Sequence, residues 1–228
     1  MRKLALTVLA VSLPLFADFF PPTVHTSITS VGEKSVSLSS ALPVKGMSGI
    51  VIHDYGNDLE AVTGRVIQQP DGTATLKKED VVHHNKLPTI KTAVAPDDEV
   101  IGGYLYNNVL LIAPDANTYA RITSAYDKNW IHPDLFALFL SNEGDALPTK
   151  ENLAKFAAQY QVGLIYIVKK EKAVLLDPFS GAHVAQKPVE NLPKEAKYPF
   201  YMRLDGIDTG WFGSSDKNGN YYKAVEAL

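Results

Sequence analysis

The sequence predicts an α+β fold, with a small β-barrel-like region followed by an α+β region that ends in a β-meander. Three observations carry this. From Thr23 to about Lys78, short alternating apolar runs are separated by closely spaced turns, the pattern of a small barrel or sandwich. After Val109-Leu110-Leu111-Ile112 the apolar period becomes helical. From Gly163 onward three apolar runs return as strands joined by short turns, and helices followed by a meander read as α+β. The chain divides into residues 1–17 as a signal peptide, 18–106 as the barrel-like region, 107–197 as the α+β region, and 198–228 as an aromatic-rich C-terminal segment.

The leader comes first. Arg2 and Lys3 form a basic head, residues 4–16 are an apolar stretch, and Ala17 precedes Asp18. That layout is a secretory signal peptide cut after Ala17. Leu15 at the −3 position is not the favoured small residue, so the signal is better marked than its cut site. The stretch is too short to anchor in a bilayer, and no later run reaches the roughly 20 residues of a membrane helix. No Cys follows, so there is no lipid-attachment site. The expectation is an exported chain in the periplasm or on the outer cell surface.

In the barrel-like region, Val24, Ile28, Val36 and Leu38 alternate with Ser and Thr around Gly32-Glu33, a hairpin. Gly46-Met47-Ser48-Gly49 leads into the strand Ile50-Val51-Ile52-His53, and residues 54–58 form a turn before a strand over 59–68. In Pro70-Asp71-Gly72, Pro fixes φ and Gly supplies a positive one. Residues 79–96 read as a polar excursion, and 99–105 as a strand returning to the barrel.

Three helices follow. Tyr119, Ile122 and Tyr126 are spaced i, i+3, i+7 behind Pro114-Asp115. Pro133 and Asp134 suit a first helical turn, where a missing N–H is harmless and a negative charge meets the dipole. The body of that helix, 135–140, is apolar all round and is expected to be deeply buried. Thr149 caps the third helix, whose stripe is Leu153, Phe156, Ala157 and Tyr160. The meander strands are 163–168, 173–176 and 182–186, the first two joined by Lys169-Lys170-Glu171-Lys172.

Composition narrows the function. Of 228 residues, 46% are hydrophobic, enough for a sizeable core. Without Arg2 and Lys3, 20 of the 22 basic residues remain against 25 acidic ones, a net charge of −5. That argues against a general nucleic-acid binder, which needs a basic excess. With no Cys, there are no disulfides, no thiol nucleophile and no Cys-ligated zinc.

Chemical motifs are weak. His83-His84 lacks further ligands for a metal site. His132 has no identifiable nucleophile beside it and reads as closing the start of a buried helix. Ser48 is not in a nucleophile elbow, because position 50 is Ile and no helix follows. Residues 216–220 resemble the opening of a calcium loop but lack its Gly at six and Glu at twelve, so a hairpin turn fits better. No catalytic, cofactor-binding or metal residue is assigned. Tyr198, Phe200, Tyr201, Trp211, Phe212, Tyr221 and Tyr222 crowd the tail among Asp205, Asp208, Asp216 and Lys217. They suit either a ligand surface or a segment folding back onto the core.

Gly46-Met-Ser-Gly-Ile-Val-Ile-His53, residues 103–106 with 110–114, and above all Trp130-Ile-His-Pro-Asp-Leu-Phe-Ala137 resemble the N-terminal domain of bacterial surface plasminogen-binding proteins of the PgbA type. The resemblance covers nearly the whole mature chain. It implies a non-enzymatic envelope protein, an adhesin that captures host plasminogen. It also implies recognition by kringle modules, which bind lysine, above all a carboxy-terminal one. The last residue here is Leu228, so internal lysines would have to serve. Those are Lys169, Lys170 and Lys172, with Glu171 supplying the carboxylate, and Lys217 and Lys223. The alternative of a different class is a periplasmic scaffold or assembly factor whose partner is another envelope protein.

Overall fold

The architecture comes from a computed structural model that describes residues 19–77, 92–145, 147–204 and 219–228. Residues 1–17, read as a signal peptide, and His83-His84, Trp211, Phe212 and Lys217 therefore lie outside the described residues. Six strands close an antiparallel barrel: β1 Val24–Val31, β2 Ser35–Leu38, β3 Ser48–Asp54, β4 Glu60–Gln68, β5 Ala74–Lys77 and β6 Glu99–Gly102, in the order β1-β2-β5-β4-β3-β6. β6 pairs with both β1 and β3, which seals the ring. Closure removes the exposed edges that an open sheet of this size would carry. β6 is shorter than the sequence reading, because the chain turns at Gly103, where φ is +67°.

The second unit is a five-stranded mixed sheet in the order β11-β10-β9-β7-β8: β7 Asn108–Ile112, β8 Asn129–Ile131, β9 Leu164–Val168, β10 Lys172–Asp177 and β11 Ala182–Pro188. The meander β9-β10-β11 is antiparallel, while β7 runs parallel to both β8 and β9. β8, at three residues, is too short to show a period of its own in the sequence. The helices are α1 Ala116–Ala125, α2 Pro133–Glu143, α3 Lys150–Tyr160 and a short α4 Tyr221–Ala224. Asp115 caps α1, and Thr149 closes a capping box with Asn152 on α3.

The sheet sorts its side chains by strict alternation. Val109, Leu111, Leu164, Tyr166, Ala173 and Leu175 join the barrel residues Val36, Val51, Val66 and Val100 in one core. Leu110, Ile112, Ile165, Ile167, Val174 and Leu176 face the other way, onto α2, α3 and the tail. Both faces are covered, which is why β9 reads as an unbroken apolar run.

One expectation is corrected. α2 is not buried all round: Phe136, Ala137, Phe139 and Leu140 are buried, but Leu135 and Leu138 are about two-fifths exposed. The helix lies on the sheet with one side, and its apolar outer residues face away from that contact. Of the tail aromatics, Phe200 and Tyr221 complete the second core.

Two devices tie barrel to sheet. The carboxylate of Asp177, at the end of β10, is fully buried. It accepts hydrogen bonds from the Ser48 N–H (2.9 Å) and the Tyr106 hydroxyl (2.7 Å), and from the Phe179 and Ser180 N–H groups (2.9 and 3.0 Å). Burial, then the Asp177 charge, pushes the Tyr106 phenol well up. At the other end, Phe19 and Phe20 enter an aromatic nest with Tyr126, Trp130 and Tyr166, and the Lys187 ammonium sits 4.5 Å over the Phe19 ring.

Candidate functional site

The β9–β10 hairpin turns where two buried apolar runs are interrupted by four charged residues. The Lys169 N–H donates to the Lys172 carbonyl at 2.8 Å, leaving Lys170 and Glu171 at the tip. The chain after β11 braces the tip, with the Val189 N–H donating to the Glu171 carbonyl at 3.2 Å.

The tail reaches the same place. Asn220 caps α4 by accepting from the Lys223 N–H. The fully buried Tyr221 hydroxyl lies 2.7 Å from the Val168 carbonyl and 3.0 Å from that of Ile112. Val168 is the residue before the hairpin turn, so this anchor sets α4 beside it. Val225 and Leu228 are buried in the second core. Lys223 and Glu226 are thereby held on the exposed side of the tail.

Hairpin and tail flank an open groove of about 800 Å³. Lys169, Lys170, Glu171 and Lys172 form one wall; Asn220, Tyr222, Lys223 and Glu226 form the other. The structure thus brings Lys169, Lys170, Glu171, Lys172 and Lys223 together from segments about fifty residues apart.

The lysines are not equivalent. Lys169 is half-buried, and its ammonium donates to the main-chain oxygens of Leu228 (2.6 Å) and Glu226 (3.1 Å). Burial, with Lys172 and Lys150 nearby, lowers its proton affinity, against the opposing pull of Glu226. Lys169 therefore fastens the tail. Lys172 donates to the Gln186 side chain at 3.1 Å. Lys170 and Lys223 are exposed, and their ammonium groups have no hydrogen-bond or ion-pair partner among the described residues. The spacing of Lys223 and Glu226 in the tail gave no sign of this meeting, because it depends on the Tyr221 anchor.

The other motifs have structural roles. The His132 Nδ1 accepts from the Asp134 N–H at 3.1 Å and caps α2. Burial lowers the proton affinity of this ring, outweighing the Asp134 carboxylate. Asp134 is in turn pinned by the Arg203 N–H and guanidinium, at 2.8 and 3.0 Å. Ser48 opens β3 and donates its N–H to Asp177. Among the described residues no group of three or more His, Asp or Glu side chains is placed to hold a metal ion. A smaller cleft of about 130 Å³ lies between barrel and sheet, where the Arg65 guanidinium stacks 3.4 Å above Phe179. Among the described residues no helix is long and apolar enough to cross a membrane.

Comparison with known proteins adds a family. The family described as "Plasminogen-binding protein pgbA N-terminal" matches residues 23–228. A protein of Helicobacter pylori strain J99 named plasminogen-binding protein PgbA is 29% identical over 181 residues, covering 75% of this chain and 40% of the relative. Its counterpart in strain 26695, of the same name, is 30% identical over 181 residues, covering 75% and 39%. The chain thus spans about two-fifths of the length of the curated relatives it matches. No solved structure matches it.

Proposed function

The chain belongs to the family of plasminogen-binding protein pgbA N-terminal domains, and from that premise we propose that it is an exported binding protein for plasminogen. The contact runs through the exposed lysines of the groove. Lys170 and Lys223 offer the ammonium groups, and Glu171 and Glu226 offer carboxylates on the same rim. An ammonium beside a carboxylate imitates the two ends of a free lysine, the ligand that kringle modules seek. The observation that supports this reading is the groove itself, which sets two ammonium groups unpaired among the described residues and two carboxylates on a braced hairpin and an anchored tail. Bracing matters because each long side chain costs about 0.5–1.5 kcal/mol to order on binding, and a backbone already held in place adds no loop-ordering cost to that. Export rests on the leader of residues 1–17, and mature protein from the envelope is expected to begin at Asp18.

The test is a titration of immobilised plasminogen. Binding should be competed by a free lysine analogue and should weaken in the double variant Lys170→Ala, Lys223→Ala. Strong binding that ignores the analogue would refute recognition through lysine. No binding by the folded chain would favour the alternative, a periplasmic scaffold for another envelope protein.

A further inference from the structure

The groove is a basic place on an acidic protein. The whole chain carries a formal charge of −3. Among the described residues the groove is lined by four lysines against two glutamates. Lys150 and His183 stand close behind it. Lys150 donates to the Gly181 carbonyl at 3.2 Å, and the His183 Nε2 lies 3.1 Å from the Leu228 main-chain oxygen. We propose that this groove binds a sulfated glycan chain.

The ligand class follows from the walls. An ammonium is a compact point charge on a flexible stem, suited to sulfate esters at irregular spacing rather than to one bidentate partner. Tyr222 is half-buried, with its hydroxyl held 2.7 Å from the Pro193 carbonyl, so its ring is a fixed apolar wall for a sugar face. Asn220 is exposed, and with its Oδ1 held by the cap its amide NH2 can donate to hydroxyls. The groove is open rather than enclosed, which admits a chain passing through. A membrane surface fits less well, because among the described residues no Leu, Ile, Phe or Trp lines the groove to enter the acyl boundary.

The crowding of cations supports the same reading. Burial and then Lys169, with Lys150 and Lys172, depress the proton affinity of His183, against the Leu228 oxygen. Among the described residues, these are the charged groups that act on the ring. An anionic ester in the groove offsets that local field. Its binding therefore raises the His183 pKa, and by reciprocity binding tightens as pH falls through the His183 titration. The groove geometry stands without the plasminogen reading. Only one consequence rests on it: glycan and plasminogen should compete for Lys170 and Lys223.

The experiment titrates the full chain with a heparin-derived hexasaccharide and follows the His183 ring by NMR across pH. The expected result is an upward shift of the His183 pKa at saturation. The Lys170→Ala, Lys172→Ala, Lys223→Ala triple should bind about tenfold or more weakly, and so should the single reversal Lys170→Glu, which alters only an exposed tip. Lys45→Ala, elsewhere on the chain, should match the unchanged protein. A chemically desulfated hexasaccharide should give no shift. The proposal is overturned if the His183 pKa does not move, or if the triple variant or the desulfated sugar binds equally well. It is also overturned if phosphatidylglycerol vesicles, and not the hexasaccharide, bind through these lysines. Loss of the hexasaccharide response with plasminogen binding intact would remove this proposal alone; the converse would remove only the plasminogen reading.

Discussion

Asp177 shows how much one buried side chain can hold. It joins the end of β10 to Ser48 at the start of β3, across 129 positions of sequence. Its four donors are two from the barrel side and two from its own turn. Asp177→Ala would remove the acceptor of the buried Ser48 N–H and of the buried Tyr106 hydroxyl. Each unsatisfied group costs about 1–3 kcal/mol, so a loss on the order of 3 kcal/mol or more is expected in a urea melt. A change within 0.5 kcal/mol of zero, the range of a neutral surface substitution, would mean that water or another group takes over. His132 gives a second residue-scale expectation. Capping requires a neutral Nδ1, and burial lowers the ring's proton affinity. A depressed pKa means that the cap contributes stability above the ordinary value of 6.5 and loses it as pH falls through the folded value. An NMR titration placing His132 at or above 6.5 would contradict this. The sequence showed His132 as a helix-closing residue because Pro133 and Asp134 are its neighbours. It could not show the role of Asp177, whose partners are distant; the local pattern signalled only a turn.

At the scale of elements, the strands and helices were legible wherever a period or cap was local. The hairpin of β1 and β2, the capping box of α3 and the Pro start of α2 all depend on residues within a few positions. β8 was not legible, since its three residues pair with β7 only through a parallel register. The face of α2 was half legible. An apolar helix reads as buried, but Leu135 and Leu138 are exposed while Phe136 is not. Phe136 packs against Phe139, Phe156 and Phe200, with ring centroids 5.1–6.3 Å apart. Phe136→Ala should therefore destabilise by on the order of 3–5 kcal/mol, and Leu135→Ala by much less. Equal losses in denaturant melts would show that the outer face is covered. β9 has a comparable constraint at its start. A Cβ on Gly163 would lie 2.1 Å from the Leu105 carbonyl oxygen, a backbone atom that cannot swing aside. Gly163→Ala should cost at least about 1–3 kcal/mol, the usual range for overpacking.

At the scale of the molecule, barrel and sheet share one continuous core and the Asp177 clamp, so they should unfold together. The sequence divides the chain near residue 106, where the pattern changes from alternating strands to helices. That change marks architecture and not independence. Val51, Val66 and Val100 of the barrel lie in the same cluster as Leu111, Tyr166 and Leu175 of the sheet. Separating the two would expose both faces of that cluster to water. At about 25 cal/mol per Å² of apolar surface, even a few hundred Å² weighs several kcal/mol, comparable to the whole stability of a domain. The groove depends on the same unity at one remove, because Tyr221 holds the tail against the ends of β7 and β9. Histidine resonances make this measurable. His53 pairs with Asp98 at 2.7 Å in the barrel, and His183 sits on β11 at the edge of the sheet. In a urea series the native signals of both should vanish with one midpoint, as two-state unfolding requires. Loss of the His53 signal at clearly lower urea than that of His183 would mean that the barrel melts alone. The groove would then survive without it, and a chain beginning near residue 107 would suffice to test binding.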